Sequence, residues 1–192
     1  MKLTSVKALE MLNNEEKKSS NNKWIKHSKC VGNTAGIIAQ NINLDVDKAK
    51  TLGYIHDIGK AVGGFDKHPL NGYNYILELG YDKEYANVCL THSYLNDDIY
   101  CAACKVPEDF KFEIDFVKNH ECNIYEKLIT LCDLMCTTVN LTMEERLIDI
   151  LSRRGVHENT QYFLKEAQNL KNEFDNMLGK NVYEIIPDLK RY

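Results

Sequence analysis

The sequence predicts an all-α fold. Apolar residues recur at helical spacing through most of the 192 residues, and breakers are scarce, with 10 glycines and 3 prolines. Several breakers, among them Pro69, Gly80 and Gly179, fall at the ends of periodic segments. Only residues 110–116 alternate in a strand-like way, and a short helix also fits them. We therefore expect one bundle of helices.

The N-terminal part of the chain predicts two helices that follow a short leading segment. Residues 1–22 are interpreted as a short first helix and a polar linker. From Lys23 to about Asn41, one helical face carries His27, Val31, Thr34 and Ile38. Asp45 or Asp47 can cap the next helix. Its inward positions are Ala49, Leu52, Ile55 and His56.

Two further helices are predicted around Gly80. Pro69 suits the first position of a helix, which leaves His68 as its N-cap, and Gly80 ends that helix. Asp82 can cap the next one. Its inward positions are Tyr85, Val88, Cys89 and His92. Residues 95–106 are predicted to form a loop.

The C-terminal part predicts three helices. One spans residues 124–139, and a capping box at Thr142 and Glu145 begins the second. The last runs from about Glu158 to Leu178 and ends at Gly179. We expect residues 23–140 to form the main domain, with residues 141–192 as C-terminal helices packed on it.

Composition limits the classes of function. A formal net charge of -4 argues against nonspecific binding of nucleic acid, and no apolar run is long enough to cross a bilayer. The first 20 residues are polar, so we expect a cytoplasmic protein with reduced thiols. The pairs Cys101/Cys104 and Cys132/Cys136 lack the partners of a zinc site, which favours free thiols.

Histidines and aspartates at apolar positions point to a metal site. His27, His56 and His92 lie on apolar helical faces, Asp57 follows His56, and Asp133 lies in an apolar stretch. A single buried histidine is usually satisfied by hydrogen bonds alone. Several histidines with two carboxylates are better explained as ligands, because burying carboxylates without a cation is costly. Such ligands suit iron, manganese, zinc, cobalt or nickel.

The pentapeptide at residues 56–60, His-Asp-Ile-Gly-Lys, resembles the signature of the HD superfamily of metal-dependent phosphohydrolases, in its HDIG form. The family pattern H…HD…H…H…D is matched in order between about Trp24 and Val139. The matching residues are His27, His56, Asp57, His68, His92 and Asp133. His120 and His157 have no place in the pattern, and we expect them to be exposed.

The resemblance implies a helical HD domain that holds one or two divalent transition metals. His27, His56, Asp57 and Asp133 would hold the first metal, and Asp57 would bridge to a second on His68 and His92. It also implies that Asp57 is catalytic and that Lys60 faces the substrate phosphate. Further candidates for phosphate contact are Lys67, Arg153 and Arg154. For the two arginines, a charged helix end is the favoured alternative.

The implied activity is hydrolysis of a phosphate ester or anhydride in a small molecule. No Gly-Tyr-Pro element follows the histidines, which argues against cyclic dinucleotides. The full ligand set resembles small stand-alone dinuclear members, so nucleotides and dinucleotides are the candidate substrates. The same ligands also serve di-iron oxygenases acting on inositol-like or phosphonate substrates, and a catalytically idle sensor is a third alternative. A homodimer stays open.

Overall fold

The computed structural model describes residues 1–18, 22–63, 65, 67–107 and 109–190. Within these residues the chain forms α-helices, short 3-10 helices and isolated β-bridges, which confirms the predicted all-α class. The α-helices are α1 Ser5–Glu16, α2 Lys23–Asn41, α3 Val46–Ile55, α4 His68–Glu78, α5 Lys83–Thr91, α6 Lys111–Asn119, α7 Ile124–Asp133, α8 Met143–Arg154 and α9 Thr160–Leu178. The 3-10 helices are Ile58–Ala61 and Val182–Glu184. Residues 19–21 of the predicted linker lie outside the described residues.

Capping side chains fix several helix ends. Asp45 caps α3, since its Oδ1 accepts a hydrogen bond from the Lys48 amide at 3.0 Å. Thr142 and Glu145 form both bonds of the predicted capping box at the start of α8. Gly179 ends α9 in the left-handed conformation, with φ of 66°. Local sequence chemistry therefore determines where these helices begin and end.

Helices α2 and α3 cross with their backbones in close contact. A β-carbon on Gly53 of α3 would lie 2.5 Å from the Cα of Gly32 in α2, closer than any real side chain can sit. Around this crossing, Val31, Ile38 and Leu52 are fully or almost fully buried. The approach is needed by the candidate site, because His27 belongs to α2 and His56 directly follows α3.

A second close approach joins the 3-10 helix Ile58–Ala61 to α4. A β-carbon on Gly59 would clash with the carbonyl oxygen of His68 and the amide of Gly72. Glycine at position 59 therefore lets the first turn of α4 lie directly against the segment that follows Asp57. This contact brings His68 beside Asp57.

The segment 110–116, which alternates like a strand, is helical from Lys111 onward, as the start of α6, with Phe110 directly before the helix. Phe112 and Phe116 are one helical turn apart, and their ring centroids lie 5.6 and 5.8 Å from that of Tyr73. The buried residues of the helix are Glu113 and Val117, whereas Phe112 stays partly exposed. The strand-like interpretation is wrong, because the aromatic spacing of four residues serves a helical face that packs on α4.

The predicted helix over residues 124–139 ends early, at Asp133. The β-branched run Thr137, Thr138, Val139 disfavours helix. In the observed turn, the carbonyl oxygen of Thr137 lies 3.2 Å from Nδ1 of His27. The chain therefore leaves the helix where a backbone carbonyl is placed against a histidine of the candidate site.

The C-terminal helices contribute to the same hydrophobic cluster as the first helices. Leu147 of α8 and Phe163 and Phe174 of α9 are buried in the cluster that contains Val31 and Leu52. None of the helices in the described part of the chain is both long and apolar enough to cross a membrane.

Gly53→Ala should lower the free energy of unfolding by about 1–3 kcal/mol, because the added methyl group forces α2 and α3 apart. Thermal or denaturant unfolding of the metal-free protein measures this. Gly36→Ala is the comparison variant and should cost less, since the three atoms nearest its added methyl group would belong to the side chain of Lys50 and not to a backbone. Equal losses in the two variants would contradict the proposed backbone contact.

Candidate metal centre

Most of the candidate ligands lie at helix ends. His56 follows the last residue of α3, His92 follows the last residue of α5, and His68 is the first residue of α4. Asp133 is the last residue of α7. Because these ends meet at one place, side chains that are distant in sequence converge.

Asp57 lies at the centre of the cluster, with 2% of its side chain exposed. Its Oδ1 is 3.1 Å from Nε2 of His68 and 3.7 Å from Nε2 of His92. Its Oδ2 is 3.5 Å from Nε2 of His56 and 3.7 Å from Nε2 of His27. One carboxylate therefore separates four imidazoles into two pairs, one pair on each oxygen.

Backbone carbonyls orient all four imidazoles in the same way. The Nδ1 atoms face carbonyl oxygens as follows: His27 to Thr137 at 3.2 Å, His56 to Gly53 at 2.8 Å, His68 to Phe65 at 2.7 Å and His92 to Val88 at 3.1 Å. A carbonyl oxygen can only accept, so each Nδ1 carries the hydrogen and donates it. In the neutral ring, Nε2 then presents a lone pair toward Asp57.

Converging lone pairs need a cation. The Nε2 atoms of His27 and His56 are 3.2 Å apart, and two lone pairs cannot bond to each other. Asp133 Oδ1 adds a carboxylate oxygen 2.9 Å from Nε2 of His27. This donor set of imidazole nitrogens and carboxylate oxygens fits a divalent transition metal, and the carbonyl contacts are the kind that orient metal-bound histidines.

Three overlapping groups have ligand atoms that all lie within 4.8 Å of one another. They are His27, His56 and Asp57; His56, His92 and Asp133; and Asp57, His68 and His92. The structure thus brings together all six residues that match the family pattern. Their role as ligands stays a prediction.

The electrostatics keep most of these groups free of protons. Burial is the main cause that lowers the pKa of His92 to about 3, with His56 and His68 adding to it, and burial is also the main cause that lowers the pKa of His56. Burial acts to raise the pKa of Asp57, but His56, Lys60 and His68 outweigh it and hold that pKa well below its usual value. At neutral pH, His56, His92 and Asp57 are therefore in the protonation state that binds a metal.

His27 differs from the other histidines of the site. Burial acts to lower its pKa, but the hydrogen bond to Asp133 and the charges of Asp133 and Asp57 outweigh this and raise it. A metal that binds Nε2 of His27 must therefore displace a proton that Asp133 stabilises.

Lys60 adjoins the cluster. It lies on the 3-10 helix that follows Asp57, 17% of its side chain is exposed, and its Nζ contacts Oδ2 of Asp57. The ring of Phe65 lies 5.9 Å from the same Nζ. An ammonium group is therefore held at the edge of the cluster, with one side toward solvent.

The other predicted phosphate contacts have partners outside the cluster. Lys67 is 59% exposed and lies 3.9 Å from Asp109. Arg153 donates two hydrogen bonds to Asp149, at 2.9 and 2.6 Å, and Arg154 contacts the thiol of Cys104. Lys67 stays near the site through its neighbour His68, whereas the arginines have the contacts of a charged helix end.

Arg146 approaches the site and was missed by sequence reasoning. Its Nε donates to the carbonyl oxygen of Asp133 at 3.5 Å. Burial acts to raise the pKa of Asp133, but the hydrogen bond and the charge of His27 outweigh it and lower that pKa. The charge of Arg146 adds to the lowering. No motif marks Arg146, because its place depends on how α8 packs against the end of α7.

His120 and His157 are not exposed as predicted. His120 is 18% exposed and lies 2.8 Å from Oε1 of Glu126, and the half-buried His157 lies 3.2 Å from the carbonyl oxygen of Ala102. All seven cysteines are free thiols. No candidate metal group in the described ranges contains Cys101, Cys104, Cys132 or Cys136.

The fold and the cluster together define an all-helical protein with a candidate histidine and aspartate metal centre. A family model for the HD domain matches residues 24–136, more than half of the chain, and the chain belongs to this family. HD domains are generally metal-dependent hydrolases, in agreement with the donor set described above.

The curated relative found by comparison shares only part of its length. The chain is 40% identical over 63 residues to Ribonuclease Y of Protochlamydia amoebophila (strain UWE25). The aligned segment covers 32% of this chain and 12% of that relative. No solved structure matches the chain.

Asp57→Ala should abolish most metal binding, because it removes the carboxylate shared by both pairs of imidazoles. His68→Ala should remove one metal and leave the other. Metal content after dialysis measures both effects. Asp115→Ala, an exposed aspartate on α6, is the control and should retain the wild-type metal content. Full metal content in Asp57→Ala would refute the assignment.

Proposed function

We propose that the chain is a metal-dependent phosphohydrolase that cleaves a phosphomonoester, phosphodiester or phosphoanhydride bond of a nucleotide-like small molecule. The observation that supports it most is the position of Asp57 between two pairs of imidazoles. A carboxylate so placed can bridge two metals, and two-metal sites are common in hydrolases of phosphate bonds.

The ligands divide into two sets that share Asp57. His27, His56, Asp57 and Asp133 would hold one metal, and His68, His92 and Asp57 would hold the other. Iron, manganese, zinc, cobalt and nickel all suit these donors. When bound, divalent metals supply a water of lowered pKa as the nucleophile and positive charge for the phosphoryl group.

Groups of the protein itself orient the imidazole ligands and position the substrate phosphate. The carbonyl oxygens of Thr137, Gly53 and Val88 fix the imidazole rings, so that little reorganisation accompanies the reaction. Lys60 is proposed to bind a phosphate oxygen. Its flexible side chain can turn from Asp57 to the substrate while its charge stays at the edge of the cluster.

The substrate class is proposed from the donor set and the charge. A net charge of -4 disfavours a long polyanion, so a nucleotide or dinucleotide is proposed rather than a nucleic acid. The name of the relative describes a ribonuclease, and a short RNA therefore belongs among the test substrates.

The protein loaded with manganese, iron, cobalt or nickel should release phosphate or a nucleotide from at least one of a panel of nucleotides and dinucleotides. Asp57→Ala should lose this activity and Asp115→Ala should retain it. Product analysis by chromatography identifies the bond that is cleaved.

Other outcomes would overturn the proposal in defined ways. Turnover of RNA alone would replace the small-molecule substrate by a polymer. Two bound irons, oxygen uptake and no phosphate release would indicate the oxygenase. A protein that binds stoichiometric metal but turns over none of the nucleotides, dinucleotides, RNA, inositol-like or phosphonate substrates would be a sensor.

Lys60→Gln should lower kcat by about 10²–10³-fold, because a donor to the developing phosphoryl charge is lost. The metal content should stay at the wild-type level, since no proposed ligand changes. Lys67→Gln is the matched control and should have a much smaller effect, as Lys67 is more exposed and pairs with Asp109. Unchanged kcat in Lys60→Gln would exclude the proposed contact.

A further inference from the structure

The six residues of the candidate metal centre, here called the HD cluster, are His27, His56, Asp57, His68, His92 and Asp133. A second group of metal-ligating side chains lies outside this cluster and shares no residue with it. His120, Cys122 and Glu126 each offer one ligand atom, and these atoms all lie within 4.8 Å of one another. His120 follows the end of α6, and Glu126 lies in the first turn of α7. The group therefore joins the segment between two helices to the start of the second.

Glu126 is fixed so that one of its carboxylate oxygens faces this group. Its side chain is 1% exposed, and its Oε2 accepts the amide of Asn123 at 3.1 Å and the Asn123 side chain at 2.6 Å. Its Oε1 faces Nε2 of His120 at 2.8 Å and the hydroxyl of Thr91 at 3.1 Å. Helix capping therefore uses one oxygen and leaves the other directed at the histidine.

Asp97 holds the segment that carries Cys122. Both of its carboxylate oxygens lie 3.1 Å from the amide nitrogen of Cys122, and the carboxylate is also within hydrogen-bond reach of the Cys122 thiol. A cavity of about 90 Å³ is lined by Asp97 and Cys122.

We propose that His120, Cys122 and Glu126 form a zinc site, distinct from the HD metal centre. One imidazole nitrogen, one thiolate sulfur and one carboxylate oxygen give three ligands of a tetrahedral zinc, and water can take the fourth position. The sulfur ligand separates it from the HD cluster, which offers only nitrogen and oxygen. The inference does not depend on the proposed hydrolase activity.

Protons balance when the ion enters. Burial and the carboxylates of Asp97 and Glu126 raise the pKa of the Cys122 thiol, so the sulfur is protonated in the metal-free protein. Zinc takes the place of that proton, which is released to solvent as the Zn–S bond forms. The positive ion then neutralises the two carboxylates that make the empty site unfavourable for a thiolate.

A hydrogen-bond network alone explains part of this arrangement. The bonds of Glu126 to Asn123, Thr91 and His120 are satisfied without a metal. They do not involve the half-buried thiol of Cys122, whose sulfur lies within 4.8 Å of the ligand atoms of His120 and Glu126. Cys122 therefore decides between a metal site and a capped helix.

Such a site, together with the Asp97 contact, would connect three parts of the fold. Asp97 belongs to the loop after α5, while His120 and Glu126 hold the ends of α6 and α7. Thr91, which donates to Glu126, directly precedes His92 of the HD cluster. Zinc would therefore stabilise the backbone that carries a proposed ligand of the other centre.

Cobalt titration of the metal-stripped full chain tests the proposal, because sulfur bound to cobalt gives a charge-transfer band in the near ultraviolet. Nitrogen and oxygen ligands alone do not produce this band. We expect it in the wild-type protein and in Asp57→Ala, and we expect added zinc to abolish it. Cys122→Ser should lose the band, whereas Cys104→Ser, the control thiol, should retain it.

His120→Asn is a second variant, tolerable because the residue is partly exposed, and it should weaken cobalt binding at this site at least about tenfold. Circular dichroism checks that each variant is folded. The proposal is overturned if the wild-type protein gives no sulfur band, or if the band survives in Cys122→Ser. Loss of the band in Asp57→Ala would assign the sulfur to the HD centre and overturn it as well.

Discussion

The buried charge of Asp57 is the constraint on which the rest of the site depends. A carboxylate with 2% of its side chain exposed loses most of its hydration, and the structure surrounds it with imidazoles whose Nε2 atoms are directed at it. Neutral imidazoles held in this tautomer cannot donate to the carboxylate. Only cations resolve this arrangement, either as the ammonium of Lys60 and a proton on His27 or as bound metals.

The backbone provides the precision of the site. Three of the imidazoles are oriented by carbonyl oxygens close to helix ends: those of Gly53 and Val88 lie in the last turns of α3 and α5, and that of Thr137 lies in the turn after α7. Glycines at positions 53 and 59 let these ends approach each other more closely than any side chain would permit. The family match to the HD domain over residues 24–136 covers the segment in which these features occur.

Much of the fold could be predicted from the sequence, because local chemistry determines it. The helix over residues 23–41, the Asp45 cap and the capping box at Thr142 all follow from spacing and capping preferences. The strand-like segment at 110–116 was ambiguous, since a short run of aromatics satisfies both periods. Its packing against Tyr73 settles the matter, and that is a tertiary contact.

The site was predictable as a set of residues and not as an arrangement. The family pattern picks out the six residues that converge, but it contains no information on the carbonyl of Thr137, on Arg146 or on the half-buried His120. Each of these depends on how one helix end meets another.

The imidazole of His68 is held less firmly than the other three, as its hydrogen-bond partner and its exposed fraction indicate. Its carbonyl partner belongs to Phe65, in the exposed loop before α4, and 17% of its side chain is exposed, compared with 12% or less for the others. An ion on His68 and His92 should therefore have a shorter residence time than one on His27 and His56. Metal exchange would then be asymmetric, so that a protein holding two different metals could be prepared by replacing only the more labile ion.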